Sequence, residues 1–169
     1  ALAADLLADR PFFDRSGGGV TLSGGEVMAQ AEGYVAALLR MLARQGVHTA
    51  VDTCGHAPWE RFERILPDVK VFLYDLKALD PDLHKRFTGM DNDLILDNLR
   101  RLSGAGASIR LRMPVIPEVN LGEMDAMMDF VRQHVAVERI HLLPYHRLGS
   151  DKRRRLGGGE AAAFTEPGE

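Results

Sequence analysis

The chain has 169 residues and a formal charge of −3, so it lacks the global positive field that bulk nucleic-acid or polyanion binding requires. A chain of this length can form one domain with a sizeable core, because folding buries roughly 70% of the unfolded surface at about 150 residues. The sequence contains neither an apolar run of about 18 residues nor a basic leader, so we predict no membrane span or secretory signal and expect a cytoplasmic protein.

Strand and helix patterns alternate from Gly18 onward, which is typical of βαβ units in a parallel sheet or barrel. The first half predicts a strand, an amphipathic helix, a strand and a short helix: VTLSG (20–24), 34–46, HTAVDTCG (48–55) and the segment after Pro58. The second half predicts a strand, two helices, a strand, a helix and a strand: 69–77, 80–89, 93–106, 108–117, 121–134 and 139–146. The pattern therefore gives five strands and about five helices in an α/β fold.

Polar or backbone-exposing groups follow every predicted strand. They are GGE (24–26), DTCG (52–55), DLK (75–77), Arg112 with MP (113–114), and PYH (144–146). Parallel sheets and barrels bind ligands at the carboxyl ends of their strands. We therefore expect a site at this rim.

Gly24, Gly25 and Glu26 form the first of these strand ends. Paired glycines let a ligand approach the backbone, and the Glu26 carboxylate could accept a hydrogen bond from an amino group. The stretch alone is also typical of a tight turn whose acid complements the dipole of the next helix. Asp52 and Asp75 end neighbouring strands, where they could share a cation or an ammonium group, or remain solvated loop acids.

The remaining rim residues have several readings each. Lys77 lies two residues after Asp75 on one face of the strand, where it could form a Schiff base, anchor a carboxylate, or pair with that acid. Arg112 lies in a buried strand and needs an anionic partner. His146 could donate to a ligand or simply cap the last strand. Cys54, the single cysteine, is more typical of a buried thiol than of a nucleophile.

Six blocks in this order resemble the activating enzymes of glycyl-radical enzymes, the pyruvate formate-lyase activase type of the radical S-adenosylmethionine (SAM) superfamily. They are GGVTLSGGE, HTAVDTCG with PW, LYDLKALD with HKRFTG, DN with ILDNLRRL, RMPVIP, and LLPYHRLG with a lysine beyond it. The resemblance runs from about Phe13 to Leu156. It implies a partial (β/α)6 TIM-like barrel that lacks the first strand of the family.

The resemblance also implies a set of site residues. The SAM ligands would be Gly24, Gly25, Glu26, Asp52, Lys77, Arg112 and His146, and a candidate monovalent-cation site would be Asp52, Thr53 and Asp75. The physical reading agrees, because SAM carries an ammonium, a carboxylate and a sulfonium group and the rim offers acids, a lysine and an arginine.

The reaction implied by the resemblance is reductive cleavage of SAM by a [4Fe-4S] cluster, which gives a 5′-deoxyadenosyl radical. That radical would remove a hydrogen atom from a backbone glycine of a partner, a glycyl-radical enzyme. Flavodoxin or ferredoxin would supply the electron. Nucleic acid and membrane are not expected as partners.

One departure from the family concerns the cluster, which its members hold with a C-x3-C-x2-C motif. Here Cys54 is the single cysteine, and one thiolate cannot replace three. We expect that the chain is truncated at its N-terminus, that the motif lies upstream, and that the chain alone is inactive. An exposed edge beside the first strand would then be covered by residues 1–15 or by another chain. Glu118 replaces a usual glycine, which puts substrate choice in question.

Two alternatives stay open from the sequence. The chain could be a cluster-less fragment or remnant that at most binds SAM or a partner protein. It could instead be a Schiff-base aldolase built on Lys77, which would require an eight-stranded barrel. For domain organisation we predict a partial barrel over 1–156 and a loose tail over 157–169, because the C-terminal residues are Gly- and Ala-rich without a period.

Overall fold

The structure is a computed structural model that describes residues 2–144. It contains one sheet of five parallel strands in sequential order, β1 to β5. The strands are β1 (Gly19–Leu22), β2 (His48–Thr53), β3 (Val71–Asp75), β4 (Ile109–Val115) and β5 (Arg139–Pro144). Sequential parallel order requires every crossover to have the same hand, so the helices collect on one face as they do in a barrel. The predicted α/β class and the five strands are confirmed.

Seven α-helices accompany the sheet within residues 2–144. They are α1 (Leu2–Ala8), α2 (Arg10–Ser16), α3 (Glu32–Arg44), α4 (Trp59–Ile65), α5 (Pro81–Thr88), α6 (Asp93–Gly104) and α7 (Met124–His134). Short 3-10 turns lie at Val27–Ala29, Leu66–Asp68 and Leu121–Glu123. Five of the seven helices match the predicted segments. At the start of α5, Asp80 accepts a hydrogen bond from the Leu83 amide at 2.7 Å and a proline lies in the first turn.

The core lies between the sheet and the helices. Alternate strand residues such as Val51, Tyr74 and Leu111 are fully buried and pack against apolar helix residues such as Leu39 and Leu99. Burial of each such side chain stabilises the fold by about 1.5–3 kcal/mol. The intervening strand residues face away from the helices, and they form the concave, more polar face of the sheet.

The first two helices were not predicted as helices. Leu6, Leu7 and Phe13 pack on a small second cluster that includes Val20 of β1 and Leu42 of α3. These residues therefore cover the helix side of β1 and add no strand to its edge. In the described part of the chain, β1 has β2 as its one hydrogen-bonded neighbour.

Gly19 shows how closely β1 and β2 approach. A Cβ at this position would lie 2.0 Å from the carbonyl oxygen of His48, so any larger residue would separate the two strands. Among the described residues, no helix combines the length and the apolar character needed to cross a membrane.

Candidate functional site

Arg112 lies on the concave face between two carboxylates. Its Nε donates to Asp75 Oδ1 at 2.8 Å, and its Nη2 lies 2.7 Å from the same oxygen. On the other side its Nη1 donates to Asp52 Oδ2 at 3.2 Å, and its Nη2 also contacts Asp52. The arrangement follows from register, because Asp75 pairs with Arg112 across β3 and β4 while Asp52 comes from the adjacent β2. The anionic partner expected for Arg112 is thus a pair of aspartates.

The charges in this cluster are partly removed from water. The side chains of Asp52, Asp75 and Arg112 are each 23–24% exposed. Burial raises the pKa of Asp75 above its ordinary value, although the positive charges of Arg112 and Lys77 oppose the shift. For Arg112, desolvation favours the neutral form, but hydrogen bonds and charge from both aspartates outweigh it and raise the pKa.

Lys77 extends the cluster at the rim. Its Nζ lies 3.9 Å from Asp75 Oδ2. Of the roles considered for this lysine, the structure therefore shows the ion pair with Asp75. Together with Asp52 and Arg112, these residues form a balanced set of two acids and two bases. Such a set can exchange its internal pairs for the ammonium and carboxylate groups of a zwitterionic ligand. We call these four residues the charged cluster.

Glu26 holds the turn after β1 against the end of β2. Its Oε1 accepts hydrogen bonds from the Thr53 hydroxyl at 2.6 Å and the Met28 amide at 3.0 Å. Its Oε2 accepts from the Cys54 amide at 2.8 Å. Both carboxylate oxygens therefore already have protein partners, which the sequence did not indicate.

Gly24 and Gly25 leave open space at this turn. Their φ angles are +93° and +63°, in the left-handed region where residues with a Cβ are strained. No heavy atom lies within 4 Å of where a Cβ would be at either position. A ligand can therefore approach the backbone here while Glu26 holds the turn in place.

Thr53 and Cys54 differ in their relation to the site. The Thr53 side chain is buried on the helix side of β2, so it does not join Asp52 and Asp75 on the concave face. No group of three or more His, Cys, Asp or Glu side chains in residues 2–144 is placed to hold a metal ion. Cys54 is half-buried, and burial raises the pKa of its thiol, with a further contribution from Glu26.

Two histidines complete the account of the rim. His146 lies outside the described residues. His141 lies on the concave face beside Arg112 in the register of β4 and β5 and is half-buried. The sequence analysis missed it, although strict alternation in RIHLLP would have placed it on the polar face.

Three buried asparagines hold the loops of the rim, and the sequence analysis missed them as well. Their side-chain amides donate to six main-chain carbonyls: Asn98 to Gly55 and Ala57, Asn92 to Ala78 and Leu79, and Asn120 to Lys77 and Pro114. Asn120 also accepts from the Ile116 amide at 2.8 Å. We call them the asparagine clamps. A signal existed for Asn98, because it falls among the apolar positions of α6 with Ile95, Leu99 and Leu102.

Comparisons with known proteins identify the family of the chain. A family model, the radical SAM superfamily, matches residues 6–131. The chain is 44% identical over 159 residues, 92% of its length and 52% of the relative's, to a trans-4-hydroxy-L-proline dehydratase activating enzyme of Clostridioides difficile. It is 46% identical over 147 residues, 85% of its length and 47% of the relative's, to an isethionate sulfite-lyase activating enzyme of Nitratidesulfovibrio vulgaris.

A solved structure gives the same result for the fold. A crystallised domain of a pyruvate-formate lyase-activating enzyme from Bacteroides vulgatus superposes with a TM-score of 0.73 at 32% identity, covering 90% of this chain and 86% of that one. The chain spans about half the length of the first two relatives named above.

Proposed function

The chain belongs to the radical SAM superfamily, and from that premise we propose that it is the SAM-binding portion of an activating enzyme for a glycyl-radical enzyme. The observation that carries the proposal is the charged cluster on the concave face, in which Arg112 bridges Asp52 and Asp75 beside Lys77. Its acids and bases match a ligand that has an amino group and a carboxylate on one carbon. The activating enzymes among its relatives support the choice of activity.

The residues present fit SAM. We assign the amino group to the backbone of Gly24 and Gly25, where the turn is open, and we give Glu26 the role of holding that turn. The charged cluster would orient the carboxylate and the sulfonium end, with His146 as a further ligand. When bound to a reduced cluster, SAM supplies a 5′-deoxyadenosyl radical. A monovalent cation near Asp52 and Asp75 belongs to the same proposal.

The residues present do not fit a [4Fe-4S] cluster. Such a cluster needs three thiolates besides SAM, and the sequence offers Cys54 alone, with a thiol pKa that is raised. We therefore expect this chain to bind SAM without cleaving it. Radical formation requires cluster ligands that the sequence does not supply. A flavodoxin or ferredoxin as reductant, and a cytoplasmic location, complete the proposal.

The test measures SAM binding to the purified chain by isothermal titration calorimetry. Asp52→Asn and Arg112→Met should each weaken binding about 10- to 100-fold, because each removes charge-assisted hydrogen bonds worth about 1.5–3 kcal/mol. Arg110→Met is the matched control, since Arg110 lies on the same strand but is exposed and pairs with Glu138. Equal SAM affinity in all variants, or none in the unsubstituted chain, would contradict the proposal.

The activity is tested separately in an activating enzyme that joins this sequence to a C-x3-C-x2-C cluster motif. With reductant and SAM, its glycyl-radical partner should show a glycyl-radical signal in electron paramagnetic resonance. The same signal should be absent when this chain alone is supplied. A radical produced by the isolated chain would refute the expectation that the cluster ligands lie elsewhere.

A further inference from the structure

A separate cavity opens on the rim beside the charged cluster. It measures about 260 Å³ and lies between α5 and the loop after β4, with Lys77 and Pro114 on the side of the cluster. Its other walls are mainly apolar: Leu83, Phe87, Ile116 and Val119. Pockets for drug-sized ligands measure about 300–1,000 Å³, so this one suits a single large side chain better than a whole small molecule.

His84 is one of four polar residues that line this cavity, with Lys77, Thr88 and Asn120. The residue is 3% exposed and lines the wall, and its Nδ1 lies 2.8 Å from the Met90 carbonyl oxygen. Because a carbonyl oxygen can only accept, Nδ1 donates to Met90, and the Thr88 hydroxyl, which lies 3.1 Å from Nδ1, can donate to the carbonyls of His84 and Met90. In this tautomer Nε2 is an acceptor. No described residue donates to Nε2. Nε2 is also not fully enclosed. In the described part of the chain, Asn98 Oδ1 is the one enclosed side-chain nitrogen or oxygen atom that has no hydrogen-bond partner.

The asparagine clamps fix two walls of the cavity. Asn92 holds the loop that leads from Lys77 into α5, and Asn120 ties that loop to the end of β4. Glu123 adds hydrogen bonds to the amides of Leu79 and Asp80 at 3.2 and 2.9 Å. The cavity is therefore formed before any ligand arrives, which favours selection by shape.

We propose that this cavity, the His84 pocket, receives an aromatic side chain with an O–H or N–H donor, tyrosine or tryptophan, from the polypeptide that the enzyme activates. The inference rests on the proposed function, since that polypeptide must cross the rim to reach bound SAM. An aromatic ring fills the apolar walls, and its donor satisfies His84 Nε2. Phenylalanine would leave that nitrogen unpaired, and a small polar side chain would leave the apolar walls unfilled.

The test uses a cluster-loaded activating enzyme that contains this sequence, with SAM and a set of synthetic probes. The probes are glycine-centred heptapeptides of serine and alanine, with one tyrosine, tryptophan, phenylalanine or leucine placed at each position in turn. Peptide affinity is measured by competition against a fluorescent tyrosine peptide, and SAM affinity by calorimetry. At one position, tyrosine or tryptophan should bind about 3- to 10-fold tighter than phenylalanine, the effect of one neutral hydrogen bond.

Three variants separate the polar and apolar parts of the inference. His84→Gln can keep an acceptor towards the cavity and should retain the preference for a donor. His84→Asn can keep the bond to Met90 but loses that acceptor, so the preference should disappear. Val119→Trp replaces an apolar wall residue and fills the cavity, so it should reduce every aromatic peptide to the affinity of its alanine counterpart. It keeps the test decisive if a His84 variant does not fold.

The outcomes are distinguishable from those of the proposed function. Normal SAM binding with no preference for a donor-bearing aromatic residue at any position overturns the His84 pocket alone. A loss of SAM affinity in Val119→Trp also overturns it, because the cavity would then hold part of SAM. Absence of SAM binding in the unsubstituted protein overturns the proposed function and this inference together.

Discussion

Asn120 allows the strongest quantitative prediction, because its side chain is 1% exposed and all its hydrogen bonds are known. It donates to the carbonyls of Lys77 and Pro114 and accepts from the Ile116 amide. Asn120→Ala removes these three bonds and leaves three main-chain groups without their partner. At about 1 kcal/mol for each net hydrogen bond, with a further penalty for groups that stay dry, the free energy of unfolding should fall by about 3–4 kcal/mol.

The free energy of unfolding of Asn120→Ala should be compared with that of Asn92→Ala. Asn92 makes two such bonds, to the carbonyls of Ala78 and Leu79, so its loss should cost about 2 kcal/mol. Gln133→Ala on the exposed face of α7 is the control and should change the free energy of unfolding by less than about 0.5 kcal/mol.

The free energy of unfolding of all three variants is measured by urea unfolding followed by circular dichroism, with one m-value fitted to all of them. The reasoning predicts the order Asn120→Ala, Asn92→Ala, Gln133→Ala from most to least destabilised. If Asn120→Ala unfolds within about 0.5 kcal/mol of the unsubstituted chain, the clamp does not hold the rim as described.

Three further predictions concern single residues near the rim. Gly55→Ala should lower the free energy of unfolding by about 2–4 kcal/mol in urea unfolding, because φ is +81° and a Cβ would lie 1.7 Å from the Tyr74 hydroxyl oxygen and 2.2 Å from Cζ of the same ring. A loss below about 0.5 kcal/mol would contradict this close approach. The carboxyl carbon of Asp75 should titrate by NMR above the ordinary pKa of about 3.9, and Arg112→Met should raise that pKa further. Since the pKa of Asp75 is higher in the folded chain than in the unfolded chain, its contribution to stability should decline as pH rises between the two pKa values. An NMR titration midpoint at or below the ordinary pKa of aspartate would contradict the role of burial. Cys54 should react with Ellman's reagent at pH 7 more than about tenfold slower in the folded chain than in urea, because burial raises its pKa, and equal rates would refute this.

The sequence predicted the sheet well because the β period is short and local. The positions of the strands followed directly from the residues, and so did the need of Arg112 for an anionic partner. The apolar run VFLYD suggested a strand buried on both faces, whereas its burial alternates. The first four predicted strands were too long at their ends. The first stops at Leu22, not at Gly24, because the positive φ of Gly24 and Gly25 leaves the extended region.

What could not be predicted depends on the direction of individual side chains. Glu26 satisfies donors on the next strand, and nothing in GGE indicates that its carboxylate turns inward. Helices α1 and α2 were missed because Pro11 interrupts a short, mixed pattern whose apolar residues pack against a later helix. The hydrogen bonds of the asparagine clamps could not be predicted either, because their partners are backbone groups up to 43 residues away in the sequence.

The sequential order of the strands also sets the order in which charges meet during synthesis. β2 and β3 leave the ribosome before β4, so Asp52 and Asp75 lie on adjacent strands with no guanidinium between them. Lys77 can offset the charge of Asp75, and the repulsion between the two carboxylates that remains favours their protonation or separation. When β4 pairs with β3, Arg112 removes that repulsion. Pairing of the fourth strand thus stabilises the sheet formed by the earlier strands. A nascent chain that stalls before Arg112 should keep those strands loosely paired.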